Sequence, residues 1–146
     1  MLQHTSESLT FFTPEVIENS GAVFCDTGIS AGFPAPTEDF TEQRISLDRE
    51  LIKNKETTFY AKVSGQSMIG AGLDDKDLLV IDRSIEPTHN KIAVCLLDGE
   101  FTVKRLKIDE EGLWLQPENP NYPIIRITDA NDFVIWGIVT NVIKKV

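Results

Sequence analysis

The sequence predicts a mainly β fold: a compact, twisted β domain carrying a flexible N-terminal arm. Three observations lead there. From Thr57 onward, short apolar runs rich in β-branched and aromatic residues alternate with turn residues. Asp98-Gly99 separates two such runs by two residues, a strong hairpin signal. Residues 1–40 show no sustained helical periodicity and are punctuated by Pro14, Gly21, Gly28, Gly32, Pro34 and Pro36.

The elements follow in order. In the arm, short apolar clusters occur at Leu9–Phe12, Val16–Ile17 and Ala22–Phe24, and these are candidates for short docking strands. Phe33-Pro34-Ala35-Pro36 is extended, because a residue before proline is pushed out of the helical region. Ile45–Ile52 predicts a short helix, with Ser46 or Asp48 near its start. Thr57–Val63 predicts a strand that Gly65 ends, and Leu78–Ile81 a strand after the acidic turn Asp74–Asp77. Ile92–Leu97 and Phe101–Ile108 form the hairpin. Leu113–Gln116, Ile124–Ile127 and the long uncharged run Phe133–Ile143 complete the set. That last run is expected to have exposed-edge potential, a possible route to dimerisation.

A chain of 146 residues fits one domain, and a domain of this size hides roughly two-thirds of its unfolded surface. The formal charge is -9, distributed unevenly. Residues 1–43 contain no Lys or Arg but seven acids, so the other 16 of the 23 acids face all 14 bases. An acidic leader on a nearly balanced body argues against nonspecific DNA binding, which needs a basic footprint. It suits a basic protein surface. Cys25 and Cys95 are too few for a disulfide framework or a structural zinc site, and Cys95 lies in an apolar run where a buried thiol is expected. No apolar stretch approaches the ~20 residues of a membrane span, and the first residues lack the basic start of a secretory signal. The expected location is the cytoplasm. No cofactor or metal is expected.

Chemistry concentrates at Ser64-Gly65-Gln66-Ser67-Met68, after an apolar strand and before Gly70–Gly72. A nucleophilic hydroxyl needs a tight turn that projects it and aims backbone N–H groups at a developing oxyanion. Alone, such a turn is ordinary, and a serine there more often just satisfies it. A hydroxyl also needs a base. His4 lies in the arm and His89 in the polar loop Glu86–Lys91, so neither suits a Ser-His-Asp triad. A lysine serves only when burial lowers its pKa from about 10.4 toward neutrality. On the second hairpin strand, alternation puts Thr102, Lys104 and Leu106 on one face and Phe101, Val103 and Arg105 on the other. One of the adjacent cations, Lys104 or Arg105, must face the less polar side. Periodicity leaves open whether Lys104 is buried or a solvated surface charge.

Ser67 in Ser-Gly-Gln-Ser-Met and Lys104 in Asp-Gly-Glu-Phe-Thr-Val-Lys, 37 residues apart, resemble the two active-site motifs of the self-cleaving LexA/UmuD family, also called peptidase S24. The resemblance covers most of Gly32–Val146, including Gly32-Phe33-Pro34, Glu42-Gln43-Arg44-Ile45 and Asp77-Leu78-Leu79; residues 1–28 match poorly. It implies a β-fold of the LexA/signal-peptidase type. It implies a Ser–Lys dyad in which Lys104 takes the proton of Ser67. The backbone N–H groups of Ser67 and Gln66 would face the oxyanion. The family cuts an Ala–Gly or Cys–Gly bond in its own arm, and Ala31-Gly32 stands at that place. The implied organisation is an arm of residues 1–31, removed by self-cleavage, and a peptidase-like domain of residues 32–146.

The resemblance also implies partners: a second copy in a homodimer, a RecA–single-stranded DNA filament that stimulates the cut, and a UmuC-like Y-family polymerase that takes the processed form into mutagenic bypass of DNA damage in the SOS response. Leu9-Thr10-Phe11-Phe12 is a candidate docking segment for a sliding clamp, and equally a strand that packs on the body. No sequence-specific DNA binding is expected, since an acidic arm without helical pattern holds no helix-turn-helix. The rival reading is a non-catalytic dimeric interaction module of the same fold that regulates a polymerase. Retained cleavage separates the two.

Overall fold

The computed structural model describes residues 8–15, 22–24 and 43–146. The strands in chain order are β1 (Ser8–Phe12), β2 (Ala22–Phe24), β3 (Gln43–Ile45), β4 (Thr58–Ser64), β5 (Leu78–Asp82), β6 (Ile92–Leu97), β7 (Glu100–Asp109), β8 (Gly112–Gln116), β9 (Ile125–Arg126) and β10 (Phe133–Ile143). A helix, α1 (Leu47–Leu51), lies between β3 and β4, and a single 3-10 turn, Ile69–Ala71, follows β4. The chain divides into two units, Glu15–Lys53 and Met1–Pro14 with Asn54–Val146. Among the described residues no helix is long and apolar enough to cross a membrane.

In the smaller unit β2 pairs antiparallel with β3, Ala22 opposite Ile45. That pairing explains why the helix is shorter than Ile45–Ile52. Ile45 is taken by the strand, Ser46 stands at the N-cap, and Ile52 is already extended. Asp48 and Glu50 in the first turn complement the helix dipole. The segments Val16–Ile17 and Phe33–Pro36 lie outside the described residues.

The larger unit is one eight-stranded antiparallel sheet, in the order β1-β4-β5-β10-β6-β7-β8-β9. The fold is thus mainly β, as the sequence predicts. The boundaries of β6 are those read from the apolar run, and its alternation shows why the run is continuous. Val94 joins one core cluster, with Ala61, Val63, Met68, Leu73, Leu79, Ile81 and Val103. Ala93 and Cys95 join another, with Leu106, Leu115 and Ile138. A strand covered on both faces has no position for a polar residue. The hairpin turn has Asp98 at φ 48° and Gly99 at φ 85°, the two positive angles a type I′ turn requires.

One expectation is corrected. Phe133–Ile143 is not an edge: β10 lies between β5 and β6. Its apolar residues fall on both faces, Trp136 and Val139 toward the first cluster and Ile135 and Ile138 toward the second. Only an interior place buries both. The register slips between Ile135 and Gly137 against β6, and between Val139 and Asn141 against β5. Such bulges bend a strand and increase its twist. At Gly137 a Cβ would lie 2.6 Å from Ile81 Cγ2, so the bend needs glycine. The sheet curls until its first edge strand meets β7: the Phe11 ring lies 4.8 Å from Phe101 and 4.7 Å from Trp136. The Leu9–Phe12 cluster is therefore a strand packed on the body.

Candidate active site

Where β4 ends, Gly65 takes φ 123°, a conformation that favours glycine, and the chain turns away from the sheet. The loop that follows is fixed by contacts at both ends. Gly65 N–H donates to Asp75 Oδ1 at 3.1 Å, and Lys76 N–H to the Val63 carbonyl at 2.8 Å. Met68 and Leu73 fill the core. Between these anchors Ser67 is only 2% exposed.

The loop also leans on a distant segment. Gly70 N–H donates to the Glu118 carbonyl at 2.7 Å, and a Cβ on Gly70 would sit 2.4 Å from that oxygen. This close approach brings Asn119 to Gln66, whose carbonyl accepts from Asn119 Nδ2 at 2.9 Å. A trans peptide is planar, with its C=O and N–H pointing opposite ways. Holding the Gln66 carbonyl therefore also sets the direction of the Ser67 N–H.

Lys104 comes from β7, where Ala93 of β6 is its cross-strand partner. Of the two adjacent cations it is the buried one, 4% exposed. Arg105 turns to the Glu118 carboxylate and the Asn90 carbonyl. Lys104 Nζ lies 3.0 Å from Ser67 Oγ, 2.6 Å from Thr102 Oγ1 and 3.1 Å from the Val103 carbonyl. A carbonyl only accepts, while a hydroxyl can donate or accept. A neutral amine can therefore give its two hydrogens to Val103 and Thr102 and receive the Ser67 proton on its lone pair. An ammonium would instead donate to Ser67.

The neighbouring groups narrow the chemistry further. Cys95, opposite Thr102, is fully buried and its thiol is pushed up to about 12 by burial, which outweighs the opposing influence of Lys104. It stays protonated at neutral pH and is no rival nucleophile. His89 accepts from Ile108 N–H through Nδ1 at 2.9 Å, a loop contact. Among the described residues no cluster of His, Cys, Asp or Glu is arranged to hold a metal.

The structure thus brings Ser67 and Lys104 together. Ala31, Gly32, Cys25 and His4 lie outside the described residues. Thr102 and Asn119 were not singled out in the sequence. Thr102 had a signal, since alternation puts it on the face of Lys104. Asn119, 53 residues from Gln66, had none.

A peptidase S24-like family model matches residues 23–140. Protein MucA of Escherichia coli is 37% identical over 134 residues, covering 87% of this chain and 91% of MucA. Protein ImpA of Shigella flexneri is 40% identical over 115 residues, covering 79% of this chain and 78% of ImpA. The LexA repressor of Delftia acidovorans is 34% identical over 117 residues, which are 80% of this chain but 52% of the repressor.

Proposed function

The chain belongs to the peptidase S24-like family, and on that premise we propose that it is a self-cleaving serine peptidase that cuts its own Ala31–Gly32 bond with a Ser67–Lys104 dyad. The observation that carries the proposal is the 3.0 Å approach of Lys104 Nζ to Ser67 Oγ, with both side chains buried.

Ser67 Oγ attacks the carbonyl carbon of Ala31 as its proton passes to the neutral amine of Lys104. The carbonyl oxygen becomes an oxyanion facing the N–H of Ser67, with that of Gln66 as the second donor. The C–N bond then breaks. Lys104 gives its proton to the Gly32 nitrogen, which leaves as the new N-terminus. Water, deprotonated by the same lysine, hydrolyses the Ala31 ester and restores Ser67. The products are residues 1–31 and 32–146. Thr102 and the Val103 carbonyl hold the amine so that its lone pair faces Ser67 before the attack.

The biological setting rests on the relatives and on the motif resemblance. We infer that the chain works as a homodimer in the SOS response, that RecA–single-stranded DNA filaments stimulate the cut, and that the processed form joins a UmuC-like translesion polymerase. Sliding-clamp docking through Leu9–Phe12 has less support, because Leu9 and Phe11 pack against the body. The reading of a non-catalytic module loses the exposed edge on which it leaned.

The test is incubation with RecA filaments, comparing wild type, Ser67→Ala and Lys104→Ala. Wild type should yield a fragment starting at Gly32 and the variants none. Three identical behaviours would remove the enzymatic reading.

A further inference from the structure

The groove that holds β1 runs directly beside the dyad. All five residues of β1 pair with β4, from Phe12 opposite Tyr60 to Ser8 opposite Ser64, the residue before Gly65. Its side chains alternate, with Ser8, Thr10 and Phe12 exposed and Leu9 and Phe11 turned inward. Phe11 enters the aromatic cluster of Phe101 and Trp136. Leu9 forms one wall of a notch otherwise lined by Val63, Ser64, Gly65, Ser67, Met68, Leu73 and Val103. The space left in that notch is about 10 Å³, at most one water.

This arrangement conflicts with the reaction. A scissile carbonyl must come to roughly 3–3.5 Å from the attacking hydroxyl. Ser67 is 2% exposed with β1 in place, and the notch it shares with Leu9 does not hold a peptide unit. Something beside Ser67 must move. The core walls Val63, Met68 and Leu73 are fixed by the sheet and the loop, whereas β1 is an edge strand paired on one side only among the described residues. Edge strands with few buried side chains open at lower cost than interior ones. An extended segment added to a sheet edge, with alternate side chains in pockets, is also a general mode of peptide recognition.

We propose that the edge of β4 beside Ser67 is a binding groove for an extended segment that offers an aliphatic and an aromatic side chain two residues apart. Residues 8–12 of this chain are its resident occupant, and a scissile peptide reaches Ser67 only when they are displaced. The proposal rests on Ser67 being the nucleophile. It adds that the acidic arm holds both the bond to be cut and the strand that blocks the cut. Docking of β1 then sets the resting rate.

Thr10 and Lys62 are cross-strand partners with exposed side chains, so they can carry a reversible lock. The experiment uses the full chain with Thr10→Cys, Lys62→Cys and Cys25→Ser. Two readouts are taken in the oxidised and the reduced state: covalent labelling of Ser67 by a small fluorophosphonate, and appearance of the fragment starting at Gly32. Labelling does not depend on which bond is cut. We expect the oxidised chain to be slower by at least ~10-fold in both, with reduction restoring the wild-type rates. Leu9→Ala, which widens the notch on its β1 side, should speed both. Equal rates in the two redox states overturn the groove proposal while leaving the dyad intact. Failure of the two cysteines to bond contradicts the β1–β4 register on which it stands. If the wild-type and reduced chains do not label at Ser67, the nucleophile assignment falls and the proposal with it.

Discussion

The two halves of the Ser67–Lys104 pair are held in different ways. Lys104 sits on β7, a strand paired on both sides, by β6 and by β8. Its position follows from a two-residue hairpin turn and simple alternation. Ser67 sits on a loop that has little regular structure of its own. Its position depends on Asp75, on the Glu118 carbonyl and on Asn119. A strand places the base and a network of tertiary contacts places the nucleophile. Damage to the second half should therefore cost chemistry before it costs stability.

The largest expected effect tests the base itself. Lys104→Met keeps the length and apolar stem of the side chain but removes the amine. Self-cleavage should fall by about 10³-fold or more, the range of a lost general base acting on a weak nucleophile. Mass analysis of time courses reads it. Residual cutting within tenfold of wild type would assign the base elsewhere.

Asn119→Ala comes next and bears directly on the comparison. It frees the Gln66 carbonyl and hence the direction of the Ser67 N–H. Cleavage should fall by about 10²-fold, toward the effect of losing an oxyanion donor. Urea unfolding should show a loss of only about 2 kcal/mol, from two hydrogen bonds near the surface, one to the Gln66 carbonyl and one from the Asn121 N–H. If stability collapsed along with the rate, Asn119 would be holding the fold and not the donor.

Thr102→Val is expected to do less. The amine keeps the Val103 carbonyl but loses the hydroxyl that accepts its second hydrogen. A drop of about tenfold, with Thr102→Ser recovering most of it, marks orientation of the amine. No recovery with serine would point to packing instead.

The smallest effect concerns a site remote from the chemistry. Burial raises the pKa of Asp82, but hydrogen bonds from the Ser84 hydroxyl, the Ser84 N–H and the Thr57 hydroxyl outweigh it, leaving the carboxyl below its ordinary 3.8. A carboxyl with a lowered folded pKa contributes stability above its unfolded pKa and loses it as pH falls through the folded value. Wild type should therefore lose stability below pH ~3.8, and Asp82→Asn should lose less over that window. Identical acid profiles would mean that the bonds do not favour the ionised form.

Legibility from sequence follows the same division. Local signals carried most of the sheet. The continuous run Ile92–Leu97 gave the ends of β6, and Asp98-Gly99 gave the turn that aims β7. They also narrowed the buried cation to Lys104 or Arg105, and tertiary packing chose Lys104 by giving Arg105 the Glu118 carboxylate. Long-range effects were hidden. Nothing near Ile45 announced a partner at Ala22, so the helix came out too long. The uncharged run of β10 suggested an edge, although apolar residues on both faces are the mark of an interior strand. Asn119 acts across 53 residues of sequence and carries no local pattern. Leu9 reads as one member of an apolar cluster, and only the pairing of β1 with β4, Leu9 opposite Val63, places it beside Ser67.

The central claim is a cut made by this chain on itself with Ser67 and Lys104. Its most direct test is the intact mass of the purified protein over time at alkaline pH, which favours the neutral form of any lysine. The expected result is a fragment beginning at Gly32 from the wild-type chain and none from Ser67→Ala. A wild-type chain that never yields that fragment, or a Ser67→Ala chain that still does, would contradict it.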